Sequence, residues 1–176
     1  MTTVRPLEAS DAPAVRALRL RALREDHDSF LSSYEEEVRE PEANTEERLR
    51  NPRPDSASFG AFEDGLLVGM LHVARDARRK TLHRATLGGM YVAPESRAHG
   101  HAQALLDAAI ERMRGIGVEQ IHLCVSTTAD SARRLYRRAG FEVVGELKGA
   151  IKDGERYIDE ELMVLRLRRQ EPGRNR

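Results

Sequence analysis

The rhythm of apolar and polar positions changes most sharply between Thr86 and Met113. Leu87, Met90 and Val92 form an apolar, β-favouring stretch, and Pro94 ends it because proline cannot donate to a ladder. From Ala102 the pattern turns helical, with Ala102, Leu105, Leu106, Ala109, Ile110 and Met113 at the spacing of one helix face. Between the two lies Arg97-Ala98-His99-Gly100-His101-Ala102, with small residues where the backbone must turn. A helix that opens this way offers unpaired N–H groups and the positive end of its dipole, which suits a phosphate.

The same reading extends to the rest of the chain. Thr2 to Leu7 predicts a short edge strand, and Ser10 or Asp11 caps a helix to about Glu25 whose inner face is Val15, Leu18, Ala22 and Leu23. Glu25 to Glu47 predicts a loop and a short helix capped near Thr45, docked through Phe30, Leu31 and Tyr34. Ser58 to Phe62 and Leu66 to Val73 form a hairpin through Glu63-Asp64-Gly65. A strand follows from about Arg84, containing Gly88-Gly89, a pair that marks a bulge or the close approach of a ligand; the plainer alternative is a helix packed closely on the strand. After the central helix come a strand (Ile121 to Val125), a helix (about Asp130 to Ala139) and a hairpin of Phe141 to Leu147 with Tyr157 to Leu167, turning at Asp153-Gly154. One domain over residues 1–167 and a frayed basic tail over 168–176 are expected.

Composition narrows the function classes. Lys+Arg and Asp+Glu both number 29, so the overall charge gives no argument for nucleic acid or a membrane surface. No apolar run is long enough to span a bilayer and no signal peptide opens the chain. One cysteine, Cys124, excludes an internal disulfide, fits a reducing cytoplasm and reads as a buried, inert thiol within an apolar strand. The charge that does stand out is local: Glu25 to Glu47 holds ten acidic residues against one arginine, Arg39.

The segment R-x-x-G-x-A at Arg97 to Ala102, after a strand and opening an amphipathic helix, resembles the acyl-CoA-binding motif of the GNAT superfamily of N-acyltransferases. Ala132-Arg133-Arg134-Leu135-Tyr136-Arg137-Arg138-Ala139-Gly140-Phe141 resembles the second half of the same signature, A-x-x-L-Y-x-x-x-G-F. The resemblance runs from Thr3 to Leu167 and is sharpest from Thr86 to Phe141. It implies an α/β (α+β) fold: a twisted, mixed, mostly antiparallel sheet of about seven strands flanked by about four helices, its two central strands parallel and splayed around the cofactor.

The resemblance also implies roles. Backbone N–H groups of Arg97, Ala98, His99, Gly100, His101 and Ala102 would take the pyrophosphate of acetyl-CoA, aided by the charge of Arg97. The pantetheine arm would pair with the edge formed by Met90, Tyr91 and Val92, with Ser126, Thr127, Thr128 or Ser131 as a further polar contact, while one of Arg133, Arg134, Arg137 and Arg138, otherwise a solvated face, would reach a CoA phosphate. An N–H near Met90 would stabilise the thioester oxygen, and Tyr136 would give a proton to the departing thiolate or else serve only as a core aromatic. Two positions depart from the family pattern. Ala129 stands where an asparagine is common, and Ala85, Thr86 and Leu87 supply no general base. A water relayed by Glu36, Glu37, Asp159, Glu160 or His83 is the alternative, although each also reads as an ordinary surface residue. The acidic stretch would face the acceptor through Glu36, Glu37 and Tyr34, drawing in a cationic amine, or else be a solvated helix face. His99 and His101 have no third ligand nearby in sequence, so no metal is expected.

The implied activity is direct transfer of an acetyl group from acetyl-CoA to a primary amine in a ternary complex, with a homodimer as a possible assembly. The alternative, kept open by Ala129 and the missing base, is a non-catalytic acyl-CoA-binding sensor or assembly module.

Overall fold

The computed structural model describes residues 2–167; the predicted tail from Arg168 lies outside the described residues. Alternating side chains build seven strands: β1 (Thr2–Pro6), β2 (Ser56–Glu63), β3 (Leu66–Arg75), β4 (Arg84–Val92), β5 (Gln120–Ser126), β6 (Glu142–Asp153) and β7 (Arg156–Arg166). They form one sheet in the order β1-β2-β3-β4-β5-β7-β6, antiparallel at every step except β4 beside β5. The β2–β3 hairpin turns on Asp64 and Gly65 with φ of 47° and 86°, the doubly left-handed turn that matches strand twist.

Five helices cover the two faces: α1 (Ala12–Glu25), α2 (Tyr34–Glu37), α3 (Glu42–Arg50), α4 (His101–Gly115) and α5 (Asp130–Arg138). On one face Leu105, Leu106, Ala109 and Met113 of α4 and Leu135 and Tyr136 of α5 pack on Leu71, Val73, Leu87, Ile121 and Leu123. On the other, Leu18, Ala22 and Leu23 of α1 and Phe30 pack on Met70 and Tyr91. Met70 and Leu71 thus point to opposite faces, as strand period requires.

Three local expectations differ. Thr45 is no cap: it is buried inside α3, and the cap of this region is Ser33, which opens α2 in a reciprocal box with Glu36. Asp11 precedes α1 without capping it, because its carboxylate instead binds Arg5 at 2.7 and 2.9 Å and the Glu8 N–H at 2.8 Å. The last hairpin is longer than its apolar pattern, since β6 continues through a register shift between Leu147 and Ile151 out to Asp153.

Candidate active site

Two irregularities open the middle of the sheet. β4 and β5 pair only from Arg84↔Gln120 to Thr86↔His122, so beyond Thr86 the strands part. In β4, Gly88 pairs with His72 and Tyr91 with Met70, which leaves Gly89 and Met90 bulged opposite Leu71. Gly89 carries φ 65°, and a Cβ at Gly88 or Gly89 would meet nothing within 4 Å. The packing explanation for this pair therefore fails: the glycines border open space. That space is a cleft of about 840 Å³, whose lining includes Gly88 to Val92, Arg97, Gly100 to Gln103, Leu123 to Ser126 and Asp130 to Ala132.

At one end the cleft meets the start of α4. Gly100 is the residue before the helix at φ 85°, Ala98 adopts φ 66°, and a Cβ on Gly100 would again meet nothing within 4 Å. The first-turn N–H groups of α4 have no partner within the helix, which makes this end an anion cradle. The loop is pinned from behind: Ser96 Oγ donates to Glu63 at 2.8 Å and Arg97 Nε to the Val92 carbonyl at 3.0 Å.

Tyr136 enters from α5. Its ring is 5% exposed and meets Phe141 edge-on, with ring centres 5.7 Å apart. The hydroxyl makes no hydrogen bond to any described residue and is not among the buried unpartnered polar atoms, so it opens onto the cleft that Tyr136 lines. Burial pushes the phenol well above its ordinary pKa, so it stays protonated and is a proton source. α5 is anchored by Glu161 of β7, whose carboxylate takes Arg133 at 2.5 and 3.1 Å and Arg137 at 3.1 and 3.2 Å.

A family model described as "Acetyltransferase (GNAT) family" matches residues 20–141, the segment that holds the cradle, the bulge and Tyr136. The chain belongs to this family. A GNAT-family acetyltransferase from Streptococcus pneumoniae superposes with a TM-score of 0.84 at 22% identity, covering 95% of this chain and 100% of that one. A phosphinothricin acetyltransferase from Sinorhizobium meliloti, solved with AcCoA, superposes with a TM-score of 0.80 at 22% identity over 94% of this chain and 88% of that one. A mycothiol acetyltransferase from Brachybacterium faecium is 29% identical over 80% of this chain, but the chain spans only 45% of that protein's length.

The GNAT cleft gathers most of the expected cofactor residues and leaves out others. Met90, Tyr91, Val92, Arg97, Ala98, Gly100, His101, Ala102, Ser131 and Tyr136 line it; His99 and Arg133 do not. Arg133 is spent on Glu161, on Asp130 at 3.1 Å and on the Thr127 carbonyl, whereas Arg134 and Arg138 line the cleft. The charge of Arg97 is also committed, to Asp26 at 2.7 Å, so it braces the cradle. Tyr91 turns its ring under α1 and donates to Glu25 at 2.5 Å; burial, then this bond, raises its pKa.

On the acceptor side the expectation changes. Glu36, Glu37 and Tyr34 are absent from the cleft lining. Glu36 is held by Ser33, Glu37 faces Arg19 at 3.4 Å, and Tyr34 packs its ring under Arg24 at 4.0 Å and accepts from it. The acidic residues of that stretch that do reach the cleft are Glu25, Asp26 and Asp28, and each has a basic partner: Arg21 at 2.8 Å, Arg97 at 2.7 Å and Arg156 respectively. Most of the charge bias of Glu25 to Glu47 thus makes ion pairs and one cap, and Glu35, Glu40 and Glu42 stay on a solvated face, so none of it forms an acidic wall of the cleft.

Cys124 is the second correction: it is exposed and lines the cleft, because it points to the face of β5 opposite the buried Leu123 and Val125. The third is at His101, whose partner Glu63 lies far away in sequence. His101 is 1% exposed and its Nε2 lies 2.5 Å from Glu63 Oε1, with His99 Nδ1 at 3.3 Å from the same oxygen. The three ligand atoms fall within 4.8 Å of one another, a spacing that fits a metal. A metal on Nε2 would, however, drive the proton onto Nδ1, which is buried without a partner among the described residues. The arrangement therefore favours the Nε2–H tautomer donating to Glu63, whose carboxylate is held below its ordinary pKa by His101 and then Ser96. His27, Asp28 and Asp153 form a second such group, but Arg156 already sits on Asp28.

Proposed function

We propose that this protein is an acetyl-CoA-dependent N-acetyltransferase that passes the acetyl group directly to a primary amine. The observation that carries the reading is the splay beyond Thr86↔His122, bordered by the Gly89 bulge on one strand and by the open hydroxyl of Tyr136 on the other side. In this reading the cradle at Gly100 holds the pyrophosphate, and Arg134 or Arg138 meets a further phosphate. The pantetheine arm lies along the β4 edge left unpaired by β5, and the N–H of Met90 stabilises the thioester oxygen as it becomes an oxyanion. Tyr136 protonates the leaving thiolate, since a phenol kept neutral by burial sits beside it. The neighbour solved with AcCoA supports the cofactor, and the relatives named mycothiol acetyltransferases support acyl transfer, over less than half of their length.

The outer edge of β6, with Val143, Val144 and Leu147 exposed, supports a homodimer as the assembled form. Among the described residues no helix is long and apolar enough to cross a membrane.

The test is release of free CoA thiol from acetyl-CoA across a panel of polyamines, amino sugars, N-terminal peptides and mycothiol-related amines. Acceptor-dependent release above the background of Cys124 supports the reading. Saturable acetyl-CoA binding with no release on any amine refutes it and marks an acyl-CoA-binding module.

A further inference from the structure

Resting on that N-acetyltransferase reading, we propose that Glu160 is the general base that takes the proton from the incoming amine. Strand register decides which side chains share a face here. Ser126 pairs with Glu160 and Cys124 with Leu162, so Cys124, Ser126, Glu160 and Leu162 share one face of the β5–β7 pair. Leu123, Val125, Glu161 and Met163 share the other, the face on which Glu161 meets Arg133 of α5. Glu160 thus stands on the face away from α4 and α5, next to the cleft residues Cys124 and Ser126. Gly88 and the Asp26–Phe30 segment line the same cleft, and Glu160, itself outside the lining, borders it through its pairing with Ser126.

The other carboxylates near the cleft are committed. Glu25 is taken by Arg21 and Tyr91, Asp26 by Arg97, Asp28 by Arg156 and Asp130 by Arg133. Asp159 accepts from the Gly149 N–H at 2.7 Å and from Lys148 at 2.9 Å. Glu160 alone of this set is half-buried with no hydrogen bond or ion pair to a described residue. Burial raises its pKa, which strengthens it as a base, and its charge in turn helps to raise the pKa of Cys124. The titratable group that faces it is Cys124 on β5, whose thiol its charge reaches. From β6 its partner is the apolar Leu147.

The step balances as follows. The acceptor ammonium gives one proton to the Glu160 carboxylate, and the freed lone pair forms the N–C bond to the thioester carbonyl. The C–S bond then breaks, and sulfur leaves with its electron pair and takes the phenol proton of Tyr136. The remaining excess proton on nitrogen returns to the phenolate through water, and Glu160 releases its proton to solvent.

Cys124 is the chain's one cysteine, which gives the test two readouts. The first is alkylation of Cys124 by iodoacetamide, followed by mass. Desulfo-CoA should slow it several-fold in the wild type, and Glu160→Gln should speed it a few-fold near neutral pH by removing the adjacent charge. The second is turnover on an amine the wild type accepts. Glu160→Gln should lower kcat/KM by ~10²-fold or more at pH 7. The deficit should narrow as pH approaches the amine's own pKa, with the acetyl-CoA thermal shift unchanged and partial recovery in Glu160→Asp.

Alkylation unchanged in Glu160→Gln would overturn the shared placement. Faster alkylation with wild-type turnover and pH profile would overturn the base role alone. A wild type that desulfo-CoA protects but that acetylates no amine would refute the parent reading and this one with it.

Discussion

Replacing Tyr136 with Phe removes one oxygen and nothing else that the fold uses. The ring keeps its edge-on contact with Phe141, 5.7 Å between centres, and its place against Leu135 in the core. The hydroxyl has no partner among the described residues, so stability should change by less than ~0.5 kcal/mol, a shift of about 2 °C at most for a chain of this size. Loss of a positioned acid costs ~10²- to 10⁴-fold in rate, or about 3–5 kcal/mol of barrier. The pH dependence has a definite sign. Burial favours the neutral phenol, so its proton remains available above the ordinary pKa of ~10, and Tyr136 should add no falling limb to kcat below about pH 10. The assay is steady-state thiol release, with acetyl-CoA affinity measured separately by calorimetry and folding by thermal melt. A Phe variant within about threefold of wild-type kcat refutes the acid role. A fall in acetyl-CoA affinity with kcat unchanged would show instead that the hydroxyl only binds.

Three further outcomes follow from the geometry. Gly100→Val places a side chain where only open space lies, at φ 85°, so folding should cost only the ~1–2 kcal/mol of left-handed strain; the ~2.7 kcal/mol of stabilisation from acetyl-CoA at 100 times Kd should vanish, read by thermal shift. Glu161→Gln should cost roughly 1.5–3 kcal/mol at pH 7, because its carboxylate is 11% exposed and holds Arg133 and Arg137. Its pKa is lowered in the fold, first by the Arg133 bond, so that stability is present above the ordinary ~4.3 and is lost as pH falls through the lowered value; melts of the two proteins should converge progressively below the ordinary carboxylate range. Leu105→Ala, at a fully buried α4 position, should cost ~2–5 kcal/mol in denaturant unfolding without altering which amines are accepted.

Local chemistry made much of this fold legible. Asp64-Gly65 can hardly avoid a tight hairpin turn, the spacing from Ala102 to Met113 allows one helix face, and Gly88-Gly89 followed by a small-residue helix start marks an open bulge and a cradle. Each of these depends on residues a few positions apart, so sequence spacing alone encodes them. The two halves of the cofactor signature are separated by one strand, and the parallel pairing of β4 with β5 brings them together.

What the sequence could not reveal is which side chains end up spent on one another. Arg97 and Arg133 read as phosphate ligands until Asp26 and Glu161 claim them across distant elements. The acidic stretch reads as a wall until Arg19, Arg21, Arg97 and Arg156 neutralise it. Cys124 reads as buried because its strand is apolar, and Glu160 as ordinary because its neighbours are polar. Strand register reverses the first reading, exposing the thiol, and sets Glu160 on the same face without a hydrogen bond to a described residue. A one-residue slip in pairing would exchange those faces, and register is fixed by core packing across strands that lie far apart along the chain.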